Sequence, residues 1–267
     1  FEVVRYLVAK GVDFRACDNE AVRSASYYGY LEIVKYLAEK GADFRNPNNL
    51  SFRQASYNGH LEIVKYLVEK GADFQSHRND AVRWASANGH LEVVKYLVEK
   101  GADFRALDNV SICNASANGH LEVVKYLAEK GADFRAVDNE AVRWASFNGH
   151  LEVVKYLVEK GADFRADDND AVRMASRNDH LKVVKYLVEK GAPEDLISDH
   201  ARHYIRRSKI KWSRTNHSDF STSTNKLFGS LFLGIQRLEE TAEVQLADQA
   251  MLEEILEEWT WMDDCDI

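Results

Sequence analysis

The sequence predicts an all-α solenoid of stacked helix–turn–helix units, followed by a helical extension that does not repeat. Three observations carry this reading. The stretch GHLEVVKYLVEK at residues 89–100 recurs as near-copies opening at Leu31, Leu61, Leu91, Leu121, Leu151 and Leu181, each thirty residues from the last. Within every copy the apolar residues fall at helical spacing. Gly41, Gly71, Gly101, Gly131, Gly161 and Gly191 then close the copies at one fixed place. A fixed period in this range is the signature of a repeat architecture, in which each unit packs only on its neighbours.

Residues 77–106, HRNDAVRWASANGHLEVVKYLVEKGADFRA, serve as the type unit. Asn79 and Asp80 are cap residues placed before Ala81, so a first short helix is expected to begin there and run to Ala87. Gly89 supplies the tolerant backbone of a tight turn. A second helix is expected from Leu91 to Lys100, with Leu91, Val94, Leu97 and Val98 on its buried face. Glu92, Lys95 and Glu99 lie opposite, where ion pairs along the helix add a few tenths of a kcal/mol. Gly101 reads as the C-terminal cap, and residues 102–105 lead to the next unit. Helices this short need stacking to persist.

This unit, with its Gly-Ala-Asp exit, closely resembles the ankyrin repeat, whose consensus has GHLEVVKLLLEHGADVN in the same place. The resemblance covers residues 1–194: six full units after an N-terminal half unit at residues 1–10. Two departures stand out. The period is thirty residues against the family's thirty-three, the missing three falling after Asp108 and its counterparts, where the family carries a β-hairpin finger. The family's TPLH signature is replaced by DAVR, EAVR or LSFR. Thirty-residue repeats of this wording resemble those of giant DNA viruses of amoebae, mimivirus-like proteins.

Positions that change from copy to copy are as informative as those that do not. Three first-helix positions vary at i, i+4, i+7, hence on one face. They read Glu20, Ser24, Tyr27; Leu50, Gln54, Tyr57; Asp80, Trp84, Ala87; Val110, Asn114, Ala117; Glu140, Trp144, Phe147; and Asp170, Met174, Arg177. In ankyrin proteins the first helix and the finger line the concave groove that holds partners. The resemblance therefore implies a protein-binding stripe of Tyr27, Tyr57, Trp84, Asn114, Trp144, Phe147, Met174 and Arg177, residue types that include the usual interface anchors. A second reading stays open, in which Trp84, Trp144 and Met174 only fill space between adjacent first helices.

Two further ladders accompany the stripe. Arg23, Arg53, Arg83, Arg143 and Arg173 recur with a break at Cys113; they suit acidic groups or phosphates, or each pairs with an Asp of a neighbouring turn, such as Asp73 or Asp103. His60, His90, His120, His150 and His180 recur once per unit, roughly 10 Å apart by helix packing distance. That spacing is too wide for a shared metal, so they read as structural turn residues, and no metal or cofactor is expected.

At the N-terminus the chain opens inside a second helix, an apolar face that solenoids normally cover, so the array is expected to extend upstream of Phe1. At the other end the pattern decays through Asp179, Lys182 and Pro193. Residues 195–267 form a second region. It holds a basic run, HARHYIRRSKIKWSR, a polar linker at 215–225, an amphipathic helix from Leu227, and another from Gln249 with Leu252, Ile255, Leu256 and Trp259 along one face. From Glu239 onward there are eleven acids and no Lys or Arg. Either this region folds back as a cap, or it docks a partner. MLEEILEEW is similar to the opening of the F-box-like sets that end poxvirus-type ankyrin proteins and recruit ubiquitin-ligase machinery, although Met251 and Leu252 stand where that motif has Leu and Pro. His200 and His203 read as a surface pair, not metal ligands.

Composition narrows the function further. The 267-residue chain carries a net charge of -8, which disfavours unaided binding to nucleic acid or acidic membranes. It has no long apolar run. Cys17, Cys113 and Cys265 lack metal or redox spacing and read as free thiols of a reducing, cytoplasmic environment, host cytoplasm or virion for a viral protein. No phosphate loop, H-E-x-x-H or nucleophile elbow occurs, so no enzyme is expected. Three roles remain: an interaction scaffold working through the stripe, a ubiquitin-ligase substrate adaptor, or an assembly component that associates with its own copies.

Overall fold

The computed structural model describes residues 1–42 and 50–209. The chain divides into two compact units, Phe1–Ala201 and Arg202–Ile267. Every element among the described residues is helical. Helix α1 (Glu2–Ala9) is followed by pairs, each a first helix and a second: α2 (Ala16–Tyr28) with α3 (Leu31–Glu39), α4 (Leu50–Tyr57) with α5 (Leu61–Glu69), α6 (Ser76–Ala87) with α7 (Leu91–Glu99), α8 (Ala106–Ala117) with α9 (Leu121–Glu129), α10 (Ala136–Phe147) with α11 (Leu151–Glu159), and α12 (Ala166–Arg177) with α13 (Leu181–Glu189). A 3₁₀ turn at Glu194–Leu196 and α14 (Asp199–Lys209) complete the described chain. First helices pack on first helices and second on second, so the array is two layers deep.

The second helix is buried over a wider arc than its spacing implies. In α7, Val93, Val94 and Leu97 are enclosed, whereas Leu91 and Val98 are half-buried. The helix has its own first helix on one side and second helices of neighbouring units on the others, so Val93 joins the core. Both helices end in the same way. Ala102 N–H donates to Leu97 O (2.9 Å) and Gly101 N–H to Val98 O (3.0 Å), while His90 N–H reaches Ala85 O (2.9 Å). These are Schellman closures, with Gly101 and Gly89 in the left-handed region.

Entry into the first helix differs from expectation. His77, Arg78 and Asn79 are all left-handed (φ 52°, 58° and 62°), as are residues 107–109, 137–139 and 167–169. Where the family has a finger, this shorter unit turns through three left-handed residues. Each non-glycine residue there costs about 1–2 kcal/mol. Because of that backbone, Asn79 does not cap the helix; its Oδ1 accepts the Asp103 N–H at 2.9 Å. Asn109 and Asn139 accept from Asp133 and Asp163 at 2.9 and 2.8 Å. Each of these three units is thereby tied from its start to its exit turn.

At its two ends the array departs from this pattern. Val3 and Leu7 of α1 correspond to the enclosed Val93 and Leu97, yet are 70% and 43% exposed. In the last unit Pro193 stands where Asp163 stands in the one before, and proline has no N–H to give. Asn169 Oδ1 is accordingly buried without a partner. After it, Ile197 and Ala201 are enclosed, Ser198 N–H donates to Ser176 Oγ (2.8 Å), and Ser198 Oγ accepts the Ala201 N–H (3.1 Å).

Asn139→Ala is expected to cost about 1 kcal/mol more than Asn169→Ala, since only the former loses a hydrogen bond. Urea denaturation of both variants checks this; equal losses would mean that the Asn139 tie contributes nothing.

Candidate protein-binding face

Repetition places the varying positions of the first helices on one face, and the structure resolves that face into clusters. Tyr57 of α4 and Trp84 of α6 meet across units with ring centroids 5.3 Å apart. Trp144 and Phe147 of α10 meet edge to face at 5.4 Å. Both tryptophans remain well exposed, 38% for Trp84 and 40% for Trp144, so neither is enclosed between neighbouring first helices. Tyr27 and Arg177 are exposed, and Asn114, Phe147 and Met174 half-buried. Between the two clusters the face is lined by short side chains, Ala87, Asn114 and Ala117. The expected docking residues Leu252, Ile255, Leu256 and Trp259, and the helices proposed from Leu227 and Gln249, lie outside the described residues.

A third aromatic cluster had not been expected. Tyr28 lies edge to face with Tyr27 at 4.9 Å and stacks on Tyr30 at 6.1 Å, and both are more than half exposed. The signal was present in the repeat: these positions are Asn and His in later copies.

The arginine ladder pairs differently from the expectation that named Asp73 and Asp103. Those two carboxylates are held in their own turns, accepting the N–H of Gln75 and Arg105 at 3.0 Å. Arg53 instead bridges forward to Asp80 (3.0 Å) and Arg143 to Asp170 (2.8 Å). Arg83 pairs with Asp80 of its own helix (2.8 Å), Arg173 with Asp168 (2.8 Å), and Arg23 with Glu20. Two rungs of the ladder, Arg53 and Arg143, thus join neighbouring units, and the other three stay within their own helix. At its break, burial first and then the nearby Glu140 push the Cys113 thiol up to about 12, so it stays protonated.

The histidines join units too. Nε2 of His60, His90, His120 and His150 lies 2.8–3.0 Å from the carbonyls of Tyr27, Tyr57, Ala87 and Ala117, thirty-three residues earlier. His200 Nδ1 faces Asp179 Oδ1 at 3.3 Å. Among the described residues no group of three or more His, Cys, Asp or Glu is placed to hold a metal ion, and no helix is long and apolar enough to cross a membrane.

Fold and face together define a helical repeat solenoid whose varied side chains are gathered on its first helices. Family profiles for ankyrin repeats match residues 46–108 and 112–197 in the three-copy form and 22–68 in the many-copy form. The chain belongs to the ankyrin-repeat family, whose members generally serve as protein–protein interaction scaffolds and are typically non-enzymatic. It is similar to the crystal structure of the human ASB11 ankyrin repeat domain, with 23% identity over 64% of this chain and 84% of that one, at a TM-score of 0.59. That likeness shows the fold alone. No curated protein matches the chain.

The histidines also predict a pH dependence. Burial, reinforced by the neighbouring histidines, lowers His90 and His150 below the ordinary value, against the opposing pull of the Tyr57 and Ala117 carbonyls. A lowered histidine favours the neutral ring in the folded state. Its contribution is complete above the unfolded value of about 6.5 and is lost as pH falls through that value towards the folded one. Tm is expected to decline from about pH 6.5 downward, and His90→Gln with His150→Gln to reduce that decline while lowering Tm at neutral pH. An unchanged decline by thermal melting would exclude these two rings as its source.

Proposed function

We propose that this chain is a non-enzymatic scaffold that binds a protein partner through the first-helix face formed by Tyr27, Tyr57, Trp84, Asn114, Trp144, Phe147, Met174 and Arg177. The observation that carries the reading is the placement of large aromatic side chains, half-buried or exposed, at positions where a repeat governed by packing alone has no need of them. Aromatic and arginine side chains supply most of the energy at interface centres. Their identity changes from unit to unit while the packing residues stay constant, which suits recognition of one particular surface.

The thirty-residue register, with its wording close to that of giant-virus repeats, supports a finer reading as a viral protein acting on host proteins in the host cytoplasm. A substrate-adaptor role for residues 195–267 rests on the MLEEILEEW stretch. A role in assembly, in which the chain associates with its own copies, is the third reading.

Affinity capture from host-cell lysate with mass spectrometry, using the full chain and a Trp144→Ala, Phe147→Ala variant, tests the scaffold reading. The variant is expected to lose its partners by about 100-fold, two anchors at about 2 kcal/mol or less each, and to keep a cooperative melt. Full retention of the same partners by the variant would contradict it.

A further inference from the structure

The ion pairs of the first helices follow a rule with one exception. An arginine reaches forward to the acid twenty-seven residues later, as Arg143 does to Asp170 through Nε at 2.9 Å and Arg53 does to Asp80. Where the forward residue is uncharged, at Leu50 or Val110, the arginine turns back to its own helix, Arg23 to Glu20 and Arg83 to Asp80. Glu140 is the reverse case, an acid whose guanidinium is missing. The residue that should supply it is Cys113, which is enclosed and neutral. Arg143 on the same helix faces away, towards Asp167 and Asp170. Among the described residues Glu140 has no ion pair; its carboxylate accepts the Trp144 indole N–H at 2.9 Å and lies near the protonated Cys113 thiol.

That carboxylate stands beside an aromatic surface. Trp144 is 40% exposed and braced edge to face by Phe147, and the preceding unit offers only Val110, Asn114 and Ala117 along the stripe, none of them charged. A cation lying on the indole gains cation–π attraction and, with the carboxylate next to it, a charge-assisted hydrogen bond. We propose that Glu140, Trp144 and Phe147 form the receptor for an arginine side chain of the protein partner, which completes the ladder from outside. Arginine fits better than lysine because its planar guanidinium stacks on an indole and offers a fork to a carboxylate at once. The proposal rests on the reading of the first-helix face as the partner-binding surface and names what that surface takes.

The test is an NMR titration of the full ¹⁵N-labelled chain with N-acetyl-arginine methylamide, following the Trp144 indole signal assigned by its loss in Trp144→Phe. A saturable shift is expected, with Kd on the order of 1–10 mM. Glu140→Gln, or the uncharged isostere N-acetyl-citrulline methylamide, should weaken it about ten-fold or more. Cys113→Arg, which returns the ladder's own guanidinium, should remove it. The absence of a saturable shift, or equal responses from the native chain and Glu140→Gln, would overturn the proposal. Its failure is separable from that of the scaffold reading: a captured partner lost with Trp144→Ala, Phe147→Ala but held undiminished by Glu140→Gln rejects the arginine receptor and leaves the binding face intact.

Discussion

The stack depends on the close approach of each unit's histidine to the turn glycine of the unit before it. A Cβ on Gly89 would lie 2.5 Å from the His120 ring, and one on Gly119 or Gly149 equally close to His150 or His180. Their positive φ already favours glycine, and the next unit's ring then removes any room for a side chain. Only with the glycine bare does a ring such as that of His150 come within hydrogen-bond distance of the carbonyl two residues upstream of that glycine, that of Ala117. One glycine and one histidine thus fix both the turn within a unit and the spacing between units. The last turn shows the same logic by exception. Asp179 keeps the left-handed backbone (φ 55°), and its side chain, instead of being excluded, reaches His200 Nδ1 at 3.3 Å.

A second set of contacts repeats on the far side of each unit. Arg105 donates to Lys130 O and Gly131 O at 2.9 and 3.0 Å, Arg15 to Lys40 O at 2.9 Å, and Gln75 to Gly101 O at 2.9 Å. Each long side chain thereby satisfies carbonyls at the C-terminal end of the next unit's second helix, where a cation is also favoured by the helix dipole. Histidine at one end and arginine at the other hold neighbouring units in register. The three left-handed residues between units are strained, and the asparagine tie to the exit turn offsets part of that cost. Solenoid stability is then a sum of unit and interface contributions.

Much of this was legible in the sequence because the chain states each unit six times. Period, helix order, closing glycines and the buried Val94 and Leu97 followed from repetition and helical spacing. Val93 did not, because burial on its side comes from neighbouring second helices that a single-unit pattern cannot see. Nor did the left-handed turn: Asn-Asp reads as a helix cap in sequence, and only the shortened connection forces Asn79 into a conformation that sends its side chain to Asp103. For the binding face, the stripe was visible but its grouping was not. Tyr57 and Trp84 meet only because adjacent units bring positions twenty-seven residues apart together, the same offset that sets Cys113 against Glu140.

The central claim is that histidine and glycine of successive units interlock directly, and a double-mutant cycle on Gly119 and His150 tests it. Gly119→Ala alone should cost about 2–4 kcal/mol, left-handed strain plus the overlap with the ring. Gly101→Ala, with φ +93° and no atom within 4 Å of an added Cβ, should cost only the strain of about 1–2 kcal/mol. In a His150→Ala background the account predicts that the cost of Gly119→Ala falls by about 1 kcal/mol or more by chemical denaturation. Additivity within about 0.5 kcal/mol would show that the two do not interact and would contradict it.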